Sequence, residues 1–314
     1  MRIGFIGLGN VGGKLAGNLL AQGSDLTVFD LDAEKVAQFA ARGAKRASDP
    51  ADLLRRVDLL ITCLPSPAAC AAVHAQFLPE MGPGKTWLEM STTDSDEVKR
   101  LGKAVIALGG RAVDCPVSGG CHRAATGNIS IFAGCDRETF EAVLPVLTIL
   151  GRRVLHTGPL GSASVLKVMT NYLATLNLLG CCEALVTAKA LGFDLATTYE
   201  AIRISSGTSF VHETESQVIL NGSRDINFTM DLVAKDIGLF QELAEDAGVP
   251  LELSPLINDI FADGITRYGP RAQSDDIIKR LEEATGLDVT APGFPAEMLD
   301  NEPYAVGAEV RREG

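Results

Sequence analysis

Histidine is scarce in this chain, with four residues in 314, and none falls in an H-E-x-x-H or comparable cluster. A metal centre is therefore not expected. The seven cysteines, Cys63, Cys70, Cys115, Cys121, Cys135, Cys181 and Cys182, form no C-x-x-C pair. Their odd number and scatter argue against a disulfide framework and fit buried thiols in a reducing compartment. No uninterrupted apolar run reaches the roughly eighteen residues of a membrane-spanning helix, so no membrane partner is expected. Basic residues are also short: 28 Lys and Arg stand against 40 Asp and Glu, for a net charge of −12. That balance lacks the basic stripe of a nucleic-acid binder, although a local cluster of positive groups could still hold an anionic metabolite. The first strand signal begins at Ile3, which leaves no room for a leader and makes a cytoplasmic location the expectation.

Apolar residues make up 46% of the chain and charged residues 22%, the proportions of an ordinary soluble protein. Its length predicts two domains. From the amino terminus to about residue 161 short apolar runs alternate with amphipathic helical patterns, as in a parallel sheet covered on both faces. From Ser162 to about residue 286 strand signals nearly vanish. A proline-free stretch from Ser162 to Gly192 predicts one long helix, with the run Leu176 to Cys182 wholly buried, and further helical patterns follow it. The expected organisation is a dinucleotide-binding domain at 1–161, a helical substrate domain at 162–286, and a proline-rich acidic extension at 287–314, wrapped or mobile.

The first chemical signal is Gly7-Leu8-Gly9-Asn10-Val11-Gly12, reached directly from the apolar run Ile3-Gly4-Phe5-Ile6. Gly7 permits a tight strand-to-helix turn, Gly9 lets the backbone approach a pyrophosphate, and Gly12 lets the helix sit close to the sheet. The next strand, Leu26 to Phe29, ends in Asp30, at the distance of a ribose-binding acid. A carboxylate there accepts from both adenosine ribose hydroxyls and repels a 2′-phosphate, so NAD is the expected cofactor.

Three further stretches stand out. Asp114-Cys115-Pro116-Val117-Ser118-Gly119-Gly120 follows a strand. Ser118 with the backbone N–H groups of Gly119 and Gly120 can cradle a carboxylate, unless the loop is simply flexible. Lys167 and Asn171 lie four residues apart near the start of the long helix and so share one side of it. A lysine is disfavoured there by the helix dipole, so the position calls for another use, and proton transfer is one; the alternative is an ordinary solvated helix face. Lys235-Asp236 is either an ordinary surface pair or a source of positive charge for an anionic substrate.

Taken together, these motifs resemble the β-hydroxyacid dehydrogenase family, especially the 3-hydroxyisobutyrate dehydrogenases, over roughly residues 1–286. The resemblance rests on the G-x-G-x-x-G turn, the D-x-P-V-S-G-G loop, the K-x-x-N-N helix and the K-D pair. It implies an amino-terminal Rossmann-type α/β domain, a long connecting helix and an all-helical second domain; apolar faces of that helix and domain can be buried against copies of themselves, so a homodimer or homotetramer is expected. It also implies Lys167 as acid and base, Asn171 against the reacting oxygen, Ser118, Gly119 and Gly120 on a substrate carboxylate, and Lys235 lining the site. The turns Leu64-Pro65 and Ser91-Thr92 would meet the nicotinamide side. Thr170 departs from the first asparagine of the motif, and Ala163 from a common glycine. Arg123, just beyond the loop, either meets a second anionic group or faces solvent.

The expected reaction is NAD-dependent oxidation of a small 3-hydroxyacid to its semialdehyde, or the reverse. A related reductase of a larger aldehyde or an imine, and a non-catalytic NAD-binding scaffold, are the alternatives.

Overall fold

The computed structural model describes residues 1–311. Two compact units form: Met1–Lys167 together with the chain from Asp300 onward, and Val168–Leu299. The segment that begins at residue 287 is thus shared between the units.

The first unit alternates strand and helix: β1 (Arg2–Ile6), α1 (Gly12–Ala21), β2 (Asp25–Phe29), α2 (Ala33–Ala41), β3 (Lys45–Arg46), α3 (Pro50–Arg56), β4 (Leu59–Thr62) and α4 (Pro67–Phe77). It continues with β5 (Thr86–Glu89), α5 (Ser95–Ala107), β6 (Arg111–Asp114), β7 (Val117–Ser118), α6 (Gly120–Thr126), β8 (Ser130–Gly134), α7 (Arg137–Leu150) and β9 (Arg153–Gly158). A last strand, β10 (Ala308–Glu309), returns from the far end of the chain.

The sheet order is β10-β9-β8-β6-β5-β4-β1-β2-β3, and β7 pairs with β8 outside that path. From β3 to β6 every pairing is parallel, with Val28, Phe5, Ile61, Leu88 and Val113 in one line of register. All five are fully buried, as expected of strands covered on both faces. One face packs against Leu15 and Leu19 of α1 and Phe140 and Leu147 of α7; the other against Leu53, Phe77, Val98 and Leu101. The expectation of a wholly parallel sheet needs correcting at β8. It runs antiparallel to β6 through Asp114 and Gly134, and β9 and β10 follow its direction. An antiparallel neighbour needs no right-handed crossover, so the short loop and α6 suffice to join β6 to β8.

The long helix α8 runs from Ser162 to Ala190. It is long and apolar enough by composition to cross a membrane, with a mean hydropathy of 1.3 in its most apolar window. Its central run is not wholly buried as expected: Leu178, Cys181 and Cys182 are buried, Leu176 and Leu179 half-buried, and Asn177 and Gly180 exposed. Only one side of this run meets the core, where Leu178 and Cys182 join the buried cluster of the second unit, the one-sided stripe of an amphipathic helix.

The second unit is helical throughout, with α9 (Leu195–Arg203), α10 (Phe210–Asn221), α11 (Met230–Asp246), α12 (Leu253–Tyr268) and α13 (Lys279–Thr285) beside the later part of α8. Its core gathers Leu185, Ile219, Ile237, Phe261 and Ile278. Residues 287–299 stay with it: Ala291 donates its N–H to the Leu220 carbonyl at 2.8 Å, and Phe294 meets Tyr199 edge to face. His212 is a core histidine here, stacked on Tyr199 and bonded to its carbonyl oxygen at 2.9 Å.

Asp275 is fully buried in this unit and interacts with Glu215. Burial pushes both carboxyl groups above their ordinary range, and the charge of Glu215 raises Asp275 further. A folded-state value above the unfolded one means that this stabilisation is complete below about pH 4 and is lost as pH rises through the raised values. Asp275→Asn is therefore expected to flatten the fall of the thermal midpoint between pH 5 and pH 8. Equal slopes for the variant and the unaltered protein in a pH series of melting curves would remove the pair as its source.

Candidate active site

The three glycines of the first turn are required for different reasons. Gly7 has φ +97°, and a Cβ there would lie 2.2 Å from the Cys63 carbonyl oxygen. At Gly12 a Cβ would lie 2.0 Å from the Gly7 carbonyl oxygen. At Gly9 it would meet nothing within 4 Å. The chain's own packing thus demands two of the glycines, while the third leaves open surface, as close approach of a diphosphate requires. Beside it Asn10 is exposed and Val11 packs against the core. Helix α1 begins with no side-chain cap and no acid in its first turn, whereas Asp32, Asp49, Ser66, Asp94 and Asp136 cap the other long helices of this unit. Asp30 ties the turn to β2 by accepting from the N–H groups of Leu8 at 2.6 Å and Asp32 at 2.8 Å. These residues fit an adenine dinucleotide.

Where β4, β5 and β6 end, Thr62, Glu89 and Asp114 stand in one line of register, directly beyond the apolar line of Ile61, Leu88 and Val113. All three are buried. The Glu89 carboxylate accepts from Thr62 Oγ1 at 2.9 Å, from the Ser91 N–H at 2.9 Å and from the Ser91 hydroxyl. Ser91 Oγ in turn accepts from the Leu64 N–H at 2.7 Å, and Thr62 Oγ1 from Trp87 Nε1 at 2.8 Å. One carboxylate therefore organises both the Leu64-Pro65 turn and the Ser91-Thr92 turn. Burial pushes Glu89 up to about 7, against the pull of its hydroxyl and amide donors. An acid inside the apolar run Thr86 to Met90 was the visible sign of this hub; its partners were not visible.

Asp114 does the corresponding work for the next two motifs. Fully buried at the end of β6, it accepts from the Ser164 N–H at 2.8 Å and from the Ser164 hydroxyl at 2.7 Å. It thus caps the first turn of α8 from a distant strand, although burial still raises it to about 6. Lys167, buried, lies one turn further along α8. On the other side of Asp114 the chain enters the loop, where Ser118 pairs with Ser130 and Gly119 and Gly120 take φ of +129° and +80°. Successive left-handed glycines turn backbone N–H groups toward one side, the arrangement of an anion nest. Arg123 of α6 folds back so that its Cδ lies 3.3 Å from where a Gly119 Cβ would stand.

In the second unit Asn171 follows Lys167 by one helical turn, and its amide nitrogen donates to Asp236 Oδ2. Lys235 Nζ meets the other oxygen of Asp236 at 2.9 Å. Asp236, buried, is the residue that joins the third and fourth motifs, and it fixes which way the Asn171 amide faces. Thr170 occupies the helix position between Met169 and Asn171. The described residues contain no cluster of metal-ligating side chains. All seven cysteines are free, and all but Cys63 are fully buried.

Comparison with known proteins agrees with this arrangement. Residues 2–158 match the profile described as the NAD binding domain of 6-phosphogluconate dehydrogenase. Residues 161–281 match that described as the NAD-binding region of NADP-dependent 3-hydroxyisobutyrate dehydrogenase. The chain is 32% identical over 294 residues to 2-(hydroxymethyl)glutarate dehydrogenase of Eubacterium barkeri, covering 92% of this chain and 98% of that protein. It is 31% identical over 269 residues to the mitochondrial 3-hydroxyisobutyrate dehydrogenase of Rattus norvegicus, covering 82% of this chain and 80% of that one. The crystal structure of 3-hydroxyisobutyrate dehydrogenase from Salmonella typhimurium superposes with a TM-score of 0.81 at 26% identity, over 89% of this chain and 99% of that one. With the dinucleotide turn, the glycine loop and the α8 motif in place, this chain belongs to the β-hydroxyacid dehydrogenase family and is an NAD(P)-binding oxidoreductase of small hydroxyacids or aldehydes.

Proposed function

We propose that the protein oxidises the primary alcohol of a small 3-hydroxyacid to its semialdehyde with NAD, or runs the reverse reduction, with Lys167 as general acid and base. The observation that carries this reading is the Asp114 clamp. One buried carboxylate leads into the Ser118-Gly119-Gly120 loop and caps the helix turn before Lys167, so the group that would hold the acid and the group that would move the proton share one rigid anchor. Such pre-set alignment is a protein's main contribution to a cofactor-dependent reaction. A non-catalytic scaffold would have no use for it.

The nicotinamide, when bound, takes the hydride from the alcohol carbon or returns it. In oxidation the neutral Lys167 amine accepts the hydroxyl proton; in reduction the ammonium donates it to the aldehyde oxygen. Asn171, its amide fixed by Asp236, donates to that oxygen in both directions, and Lys235 brings positive charge to the substrate anion. Relatives named for 2-(hydroxymethyl)glutarate, 3-hydroxyisobutyrate and L-serine share one fragment, a hydroxymethyl group on the carbon that bears a carboxylate. That fragment is the proposed substrate class. Assembly as a homodimer or homotetramer is supported by a groove of about 770 Å³ lined by Gly180, Ala184, Ala188, Leu191, Phe193 and Ile202, in which Leu191 is 70% and Phe193 63% exposed.

Three outcomes follow. Lys167→Ala should lower turnover by about two to four orders of magnitude, the range of general acid and base catalysis, while titration with NAD shows binding retained. Turnover within a few-fold of the unaltered protein would strip Lys167 of the role. Asp30→Asn keeps an acceptor for the Leu8 N–H but removes the charge that repels a 2′-phosphate. It should raise the ratio of kcat/KM for NADP to that for NAD by about tenfold or more, since a tenfold change corresponds to about 1.4 kcal/mol. A constant ratio would show that Asp30 does not choose the cofactor. In light scattering the unaltered protein should have a mass of at least twice the 33.1 kDa of one chain; a monomer would sink the assembly.

A further inference from the structure

The segment beyond the helical unit has a use that the family comparisons do not assign. The matched profile ends at residue 281, and solved relatives are covered almost completely while about a tenth of this chain lies outside the match. Yet residues 300–311 are closely attached to the first unit. Gly307 donates its N–H to the Thr148 carbonyl at 2.8 Å, β10 pairs with β9, and the Val310 N–H reaches the Val154 carbonyl at 2.8 Å. Glu309 takes both arms of the Arg137 guanidinium, at 2.5 and 3.1 Å.

The other end of this segment reaches α6. Asp300 Oδ2 accepts from the Thr126 hydroxyl and from Asn128 Nδ2 at 2.8 Å, and the same Asn128 amide nitrogen donates to the Glu302 carbonyl at 2.8 Å. The Tyr304 ring covers Gly127, the left-handed residue that ends α6, so closely that a Cβ there would lie 2.8 Å from it. Asp300 also interacts electrostatically with Arg123 and His122 of the same helix. A helix of seven residues has little stability of its own, so external anchors decide whether it keeps one position.

We propose that residues 300–311 form a strap that holds α6, and that Asp300 is a positioning residue that sets how the Ser118-Gly119-Gly120 loop and Arg123 receive the substrate anion. The second half of this statement rests on the reading of that loop as the carboxylate site. The strap itself does not.

The test combines hydrogen exchange with steady-state kinetics on the full chain. In Asp300→Ala the backbone amides of residues 120–127 are expected to exchange about tenfold faster, and KM for 3-hydroxyisobutyrate or L-serine to rise about tenfold, while KM for NAD stays within twofold. Asp300→Asn, which keeps an acceptor for Thr126 and Asn128, should recover most of the protection. Unchanged exchange in α6, exchange that accelerates evenly through the first unit, or no recovery in Asp300→Asn would each overturn the strap. Protection lost as expected with KM for the hydroxyacid unmoved would overturn the positioning role. Should the catalytic reading be wrong, the unaltered protein would turn over none of these hydroxyacids, a result that leaves the exchange measurement able to decide the strap.

Discussion

The buried carboxylate of Asp114 is the constraint on which the first unit's chemistry depends. It closes the orphan N–H of Ser164 in the first turn of α8, a task that a local Ser or Asp normally performs from the preceding residue. Delegating the cap to a strand residue 50 positions before Ser164 does what a local cap cannot: it fixes the helix to the sheet. Any displacement of α8 along its axis would leave the carboxylate and the Ser164 amide and hydroxyl unpaired in a dry environment, at about 1–3 kcal/mol for each group. The position of Lys167 is therefore set by the sheet, and so is that of the loop which begins one residue after Asp114.

Glu89 applies the same logic one strand away. Thr62, Glu89 and Asp114 share a register line at the ends of three neighbouring parallel strands; Thr62 braces Glu89, while Glu89 and Asp114 each reach past the sheet to a different segment. One residue earlier the line is Ile61, Leu88 and Val113, wholly apolar. The change from apolar to polar across a single step marks the edge where the sheet stops being core and begins to hold ligand-binding turns, the usual place for ligands in open α/β sheets. Packing alone would hold these turns loosely, because apolar contact is non-directional. Hydrogen bonds to a shared carboxylate specify distance and angle as well.

Much of this could be read from the residues. Period-two and period-3.6 patterns located nearly every element longer than a few residues, and Gly7, Gly12 and Asp30 occupy positions whose backbone and pairing require them. The limits are equally physical. Strand direction at β8 depends on the connection before it, and a seven-residue helix such as α6 covers too few turns to display a period. The two-residue strands β3, β7 and β10 are defined by their partners alone. Glu89, Asp114 and Asp236 were visible as acids in apolar or helical surroundings, but a hydrogen-bond partner 27, 50 or 65 residues away leaves no mark on local sequence.

The acidic composition also takes on a sharper meaning. A net charge of −12 opposes the approach of an anion on a simple count, yet the charge is distributed by state as well as by place. Burial raises Glu89, Asp114, Glu215 and Asp275, and it brings Glu89 and Glu215 to about 7, so a simple count overstates the charge of these two at neutral pH. Others are neutralised in pairs, as Glu309 is by Arg137 and Asp58 by Arg2. Lys235 and Asp236 are paired as well, so Lys235 presents an oriented ammonium group beside its own counter-charge. In the proposed reading, holding a carboxylate falls to the direction of groups such as the positive-φ backbone of Gly119 and Gly120 rather than to the chain's total charge.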